Sequence, residues 1–154
     1  MSALVSSTDY APTILSLAGV EIPAQMQGRD LSGLLDGTLE MQEWREAVFM
    51  ENLFIGKMHG IAVKARKSGK TADFATANAK LIDENQSYRS RGICTEKYKY
   101  FCYYEQSPQL EELYDLENDP LEQHNLIDDP KWATILQSLR AQTLSLHTQY
   151  QSVK

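Results

Sequence analysis

The stretch Glu112-Leu113-Tyr114-Asp115-Leu116-Glu117-Asn118-Asp119-Pro120-Leu121-Glu122-Gln123-His124-Asn125-Leu126 constrains the fold more than any other part of the sequence. Leu113, Tyr114 and Leu116 give it strand-like content, and Asn118-Asp119-Pro120 then stops the strand. Proline fixes its own φ and biases the preceding residue away from helix. Asp119 and Asn125 can bond nearby backbone amides, whereas Pro120 removes a donor and stiffens the bend. The pattern predicts a strand, a tight acidic turn and delivery of the chain to a final helix.

That helix is legible from its start. Asp129 is placed to cap it and Pro130 suits the first turn, where a missing amide costs nothing. Trp132, Ile135, Leu136, Leu139, Thr143, Leu146 and Tyr150 then recur at helical spacing. Burying that stripe contributes on the order of 10 kcal/mol gross, before the entropy of ordering is subtracted. It needs a sheet to lie on. Arg91 to Thr95 and Lys97 to Tyr104 alternate apolar and polar residues as a β-hairpin does, with the turn near Glu96-Lys97. Ile93, Tyr98 and Tyr100 are predicted to share one face. With Leu113 to Leu116 and Ala47 to Glu51, about four strands result. The expected fold class is α+β, a small antiparallel sheet with the long C-terminal helix packed on it.

The formal net charge of -6 argues against nucleic acid and anionic membrane as partners, since both require a concentrated positive field. No apolar run is long enough to cross a bilayer, and the first residues carry no visible secretion signal, so localisation stays open. The hairpin register would set Cys94 across from Lys99 and Cys102 across from Arg91. These are opposite faces of the sheet, so two reduced thiols are expected.

Upstream, Ser6-Ser7-Thr8-Asp9 supplies helix caps for Tyr10 to Ala18, which Gly19 can close. The helix has apolar residues on more than one side, with Leu4 and Val5 beside it, and wants cover from a larger body. Leu31, Leu34 and Leu35 then give a short helix ended by Gly37. Ile55 to Tyr88 is the least patterned part. Its basic island of Lys57, His59, Lys64, Arg66, Lys67 and Lys70 reads either as a site for an anionic group such as a sulfate ester or as a solvated loop. Lys57 and His59 are the candidate substrate contacts. In the acidic turn, Asp115, Glu117 and Asp119 alternate like calcium-loop ligands. Pro120 and Leu126 stand where that loop needs glycine and a bidentate glutamate, so no metal site is assigned.

Four stretches together resemble the end of the sulfatase family, within the alkaline phosphatase superfamily. The Glu112 to Leu126 stretch looks like the family's Glu-Leu-Tyr-Asp-Leu strand, running through Asp-Pro to a Glu and Asn-Leu. Asp9-Tyr10-Ala11-Pro12-Thr13 looks like its Asp-x-Ala-Pro-Thr helix. Gln27-Gly28-Arg29-Asp30-Leu31 with Leu34-Leu35-Asp36-Gly37 is similar to its Gly-x-Ser-Leu-x-x-Leu-Leu-x-Gly segment, with Asp30 where serine is common. Arg91-Gly92-Ile93-Cys94-Thr95-Glu96-Lys97-Tyr98-Lys99-Tyr100 looks like its Arg-x-Ile-Arg-Thr-x-x-Tyr-Lys-Tyr hairpin, with Cys94 replacing an arginine.

The resemblance implies that residues 1–40 end the sulfatase catalytic domain and residues 41–154 form the C-terminal subdomain. It also implies a sulfuric ester hydrolase, with formylglycine as nucleophile and a calcium ion, for the full-length family, whose members are often exported. Neither Cys94-Thr95-Glu96 nor Cys102-Tyr103-Tyr104 matches the Cys/Ser-x-Pro-x-Arg motif that becomes formylglycine. No catalytic residue and no cofactor is therefore assigned to this chain. It is expected to be inactive alone, to complete the fold and to border the substrate entrance. Its expected partner is the catalytic domain in cis, or a second copy through residues 1–36. The alternatives are a stand-alone interaction module derived from that subdomain, or the end of a related phosphodiesterase or phosphonate hydrolase.

Overall fold

The computed structural model describes residues 3–53, 67–69, 74–84 and 87–151. Helices α1 (Tyr10–Leu17) and α2 (Ser32–Asp36) come first. Strand β1 (Ala47–Asn52), helix α3 (Phe74–Asp83), strands β2 (Ser90–Thr95), β3 (Tyr98–Tyr103) and β4 (Leu110–Asp115), and helix α4 (Ala133–Gln151) follow. The strands form one antiparallel sheet in the order β1-β2-β3-β4, with α4 laid across it. The fold is α+β, as the patterning predicts.

Register explains the core. Phe49 pairs with Ile93, Ile93 with Tyr100 and Tyr100 with Leu113, so one row of apolar side chains crosses all four strands on a single face. Ile93 and Leu113 are fully buried, and Leu136 and Leu139 of α4 close over them. The neighbouring row on the same face runs Glu51, Arg91, Cys102 and Glu111, which puts charge at one end of the helix-covered face. Arg140 of α4 clamps Glu111 through Nε and Nη2, one edge of its guanidinium, and Glu111 accepts the Tyr100 hydroxyl. Cys94 pairs with Lys99 and Cys102 with Arg91, the register expected of a turn at Glu96-Lys97, and both thiols are free.

Helix ends follow the capping rules. Ser6 and Asp9 form a reciprocal box: the Ser6 hydroxyl accepts from the Thr8 amide, and the Ser6 amide donates to Asp9 Oδ2 at 2.7 Å. Asp129 accepts from the Lys131 amide, and Pro130 opens a 3-10 turn that runs into α4. Gly37 closes α2 at φ 77°, a conformation that costs glycine nothing.

Strand β4 begins at Leu110, three residues before the predicted Leu113, and ends at Asp115. Its free edge is covered by the acidic turn. Asn125 Oδ1 accepts from the Leu113 amide, its Nδ2 donates to Glu111 O, and the Leu126 amide donates to Leu113 O. Covering an edge in this way blocks pairing with another chain. Within the turn, Asp115 accepts from the amides of Glu117 and Asn118, and Asp119 Oδ2 from that of His124 at 2.8 Å.

Candidate functional site

The charged centre of the described structure is where the N-terminal segment meets the sheet. Asp9 is fully buried, and its carboxylate accepts from the Ser6 amide, from the Arg29 amide at 2.8 Å and from Arg45 Nη2 at 2.7 Å. Burial alone would raise its pKa. The Arg29 amide, the Arg45 guanidinium and the Ser6 amide outweigh that and hold it below the usual carboxylate range. Asp9 is therefore ionised and committed.

Trp44, beside Arg45, is buried and donates its indole N–H to Leu4 O at 2.8 Å. The guanidinium carbons of Arg29 and Arg45 lie 4.3 and 4.8 Å from the centre of its ring, at cation–π distance. Thr13 extends the tie: its hydroxyl donates to Asp9 O at 2.6 Å and accepts from the Leu31 amide at 2.9 Å. Gly28 permits the close packing, since a Cβ there would sit 1.9 Å from Thr8 O. Helix α1, the loop to α2 and the entry to β1 are thus held by one carboxylate.

Two clefts flank this junction. One, of about 490 Å³, is lined by Leu4, Met41, Trp44, Lys97, Tyr98 and Gln142, among others. The other, of about 310 Å³, lies between Ser6, Thr8 and Gln27 on one side and Phe49, His147 and Tyr150 on the other. Ligand pockets run from about 300 to 1,000 Å³, so the first falls within that range and the second at its lower end.

Exposed apolar side chains lie on α1 as well as at scattered positions such as Leu53, Leu121 and Leu144. Tyr10, Ile14 and Leu17, spaced as one stripe of the helix, are exposed, as are Val5, Val20 and Leu35. Leu4 and Leu15, the neighbouring apolar residues of this segment, are half-buried.

The candidate contacts Lys57 and His59 lie outside the described residues. The groups implied by the family resemblance do not fit the residues that are described. Among them, no three His, Cys, Asp or Glu side chains gather to hold a metal ion; in the acidic turn, Asp115 and Asp119 are bound to backbone amides and Glu117 and Glu122 pair with Lys97 and Lys99. Cys102 is buried in the core, and burial raises both thiols. No catalytic step is derived from this chain. Among the described residues, no helix is long and apolar enough to cross a membrane.

Sequence reasoning did not pick out Asp9, Arg29, Trp44 and Arg45 as a group. Only the adjacency of Trp44 and Arg45 hints at a cation–aromatic contact, and their partners lie far away in the chain.

The fold and junction define a helix-backed sheet with a short N-terminal helical segment tied to it, and comparison with known proteins gives its family. The chain belongs to the family described as N-sulphoglucosamine sulphohydrolase, C-terminal, whose model matches residues 1–75 and 56–149. A Delta 4,5-hexuronate-2-O-sulfatase of Bacteroides thetaiotaomicron is 32% identical over 133 residues, covering 86% of this chain and 21% of the relative. An ulvan-active sulfatase of Formosa agariphila is 26% identical over 150 residues, covering 88% of this chain and 27% of the relative. The phosphonate monoester hydrolase of Agrobacterium radiobacter superimposes with a TM-score of 0.66 at 25% identity, over 97% of this chain and 26% of that one. The chain thus spans about a fifth to a quarter of the curated relatives it matches.

Proposed function

We propose that this chain acts as the C-terminal subdomain of a sulfuric ester hydrolase, completing its fold and bordering its substrate entrance without supplying a nucleophile. One combined observation carries the reading. The match to the sulfatase C-terminal family runs through nearly the whole chain, whereas the chain spans only about a fifth to a quarter of the sulfatases it resembles. Sulfate monoester hydrolysis needs a positioned nucleophile, a cation to neutralise the oxygens and an acid for the leaving group. In this reading all three come from a catalytic domain in cis. Calcium and the formylglycine nucleophile belong to that domain, and Lys57 and His59 contact the substrate from this side of the entrance.

The stripe of Tyr10, Ile14 and Leu17 supports the proposed partner. Three large apolar residues on one face of a two-turn helix are surface that a larger body would cover. In the isolated chain the same stripe drives self-association. Hydrolysis of an aryl sulfate tests the activity: the 154-residue chain should show none, and the chain joined to an upstream catalytic domain should turn the substrate over. Activity of the 154 residues alone would refute the reading. A second reading, the end of a phosphonate hydrolase, is favoured by the superposition on the Agrobacterium enzyme. It predicts that an aryl phosphonate is the faster substrate of the joined protein.

A further inference from the structure

Asp36-Gly37 is the one Asp-Gly pair in the sequence, and no Asn-Gly pair occurs. It stands at the end of α2, where Asp36, Gly37 and Thr38 are all exposed. The Asp36 side chain is folded back over the peptide that follows it: Oδ1 accepts from the Thr38 amide at 2.9 Å and from the Thr38 hydroxyl at 2.6 Å. A carboxylate that bonds the amide two residues on closes a ring around the intervening peptide, here the one whose nitrogen belongs to Gly37. Gly37 has no side chain to shield that nitrogen, and a Cβ built on it would meet nothing within 4 Å.

We infer that Asp36 is a site of spontaneous backbone rearrangement through a cyclic imide, and that Thr38 promotes the reaction. In its neutral form the Asp36 carboxyl is attacked at Cγ by Gly37 N, and charge gathers on Oδ1. Oδ2 then leaves as water, carrying the acid proton and the proton lost by the Gly37 amide. Water adds back to the imide. Addition at the main-chain carbonyl carbon of Asp36 breaks its bond to Gly37 N and leaves the chain linked through the β-carboxyl, as isoaspartate; addition at Cγ restores aspartate. Water is the whole of the exchange, and nothing is oxidised or reduced.

Both Thr38 donors fall on the oxygen where charge concentrates in the tetrahedral intermediate, whereas the resting carboxylate spreads its charge over two oxygens. They therefore stabilise the intermediate more than the starting group, which is the condition for acceleration. The Thr38 hydroxyl, followed by its amide, also holds the Asp36 carboxyl below the usual carboxylate range, which makes the reacting neutral acid scarcer. The two effects oppose, and the concentration of charge on the bonded oxygen decides for acceleration. The product carries one more backbone atom beside the turn that the Leu39 amide closes by donating to Gly33 O at 2.8 Å. The site stands on this turn alone and does not depend on the proposed function.

The experiment incubates the folded 154-residue chain at body temperature and neutral pH, then follows the proteolytic peptide bearing Asp36 by liquid chromatography and mass spectrometry. Isoaspartate has the parent mass at a different retention, and the imide is lighter by one water. A synthetic peptide of residues 30–44 is the unstructured reference. The folded chain should form isoaspartate at Asp36 faster than the peptide does. Thr38→Val, which removes the hydroxyl and keeps the amide, should slow the folded chain by roughly threefold to tenfold, the effect of one hydrogen bond, and Thr38→Ser should react as the parent does. A folded chain no faster than the peptide overturns the site. Equal rates in the parent and Thr38→Val, with both folded by circular dichroism, overturn the role of Thr38.

Discussion

Asp9 and Arg45 meet at 2.7 Å across an interval of 36 residues, with the carboxylate fully buried and the guanidinium almost so. This contact decides whether α1 travels with the sheet. Breaking a buried pair from one side leaves an uncompensated charge, at a cost of about 3 to 5 kcal/mol.

Asp9→Asn should therefore lower stability by about 3 kcal/mol, read as a lower urea midpoint. The acid limb follows from the depressed pKa. Because the folded carboxyl sits below its ordinary 3.8, its contribution is complete above that value and is lost as pH falls towards the folded value. Between pH 4 and pH 2 the parent should lose more stability than Asp9→Asn does, and equal losses would show that Asp9 is not so held.

The phenol of Tyr100 governs the opposite limb. Its burial, reinforced by its hydrogen bond to Glu111, raises its pKa above 10.0, so the folded state keeps a proton that the unfolded chain releases. The stabilisation is complete below pH 10 and is lost as pH rises past it. Tyr100→Phe should show a flatter stability curve above pH 10, measured by circular dichroism during alkaline titration.

Gly28→Ala should be among the most damaging substitutions in the first forty residues, because its Cβ would lie 1.9 Å from a backbone oxygen. The expected result is loss of amide exchange protection in α1, with β2 and β3 still protected. Unchanged protection of α1 would contradict the close approach of residues 8 and 28.

If the α1 stripe is the covered surface, the isolated chain should self-associate through it. Ile14→Glu with Leu17→Glu places charge on two exposed positions and should return the chain to a monomer by light scattering, with its circular dichroism unchanged. A parent chain that is already monomeric at high concentration would count against cover by a partner.

Much of the fold could be read from the sequence because its determinants are local. The turn at Glu96-Lys97 set the β2–β3 register, Ser6 and Asp9 announced α1, and Asp129-Pro130 announced α4. Strand β4 was read short because Glu111 breaks the apolar alternation. It faces the helix side and is accommodated only by Arg140 and Tyr100, partners 29 and 11 residues away. The Asp9, Arg29, Trp44 and Arg45 cluster escaped for the same reason, since long-range charge pairing leaves no periodic trace. Lys57 and His59 rest on charge alone, which fixes no geometry.

The central claim is that these 154 residues work as one end of a larger hydrolase. The most direct measurement is the mass of the native protein in its source, by immunoblot with an antibody raised against this chain. The account predicts a band about four to five times heavier than 17.5 kDa, from the share of its relatives that the chain spans. A single band at 17.5 kDa would contradict it and leave a stand-alone module in its place.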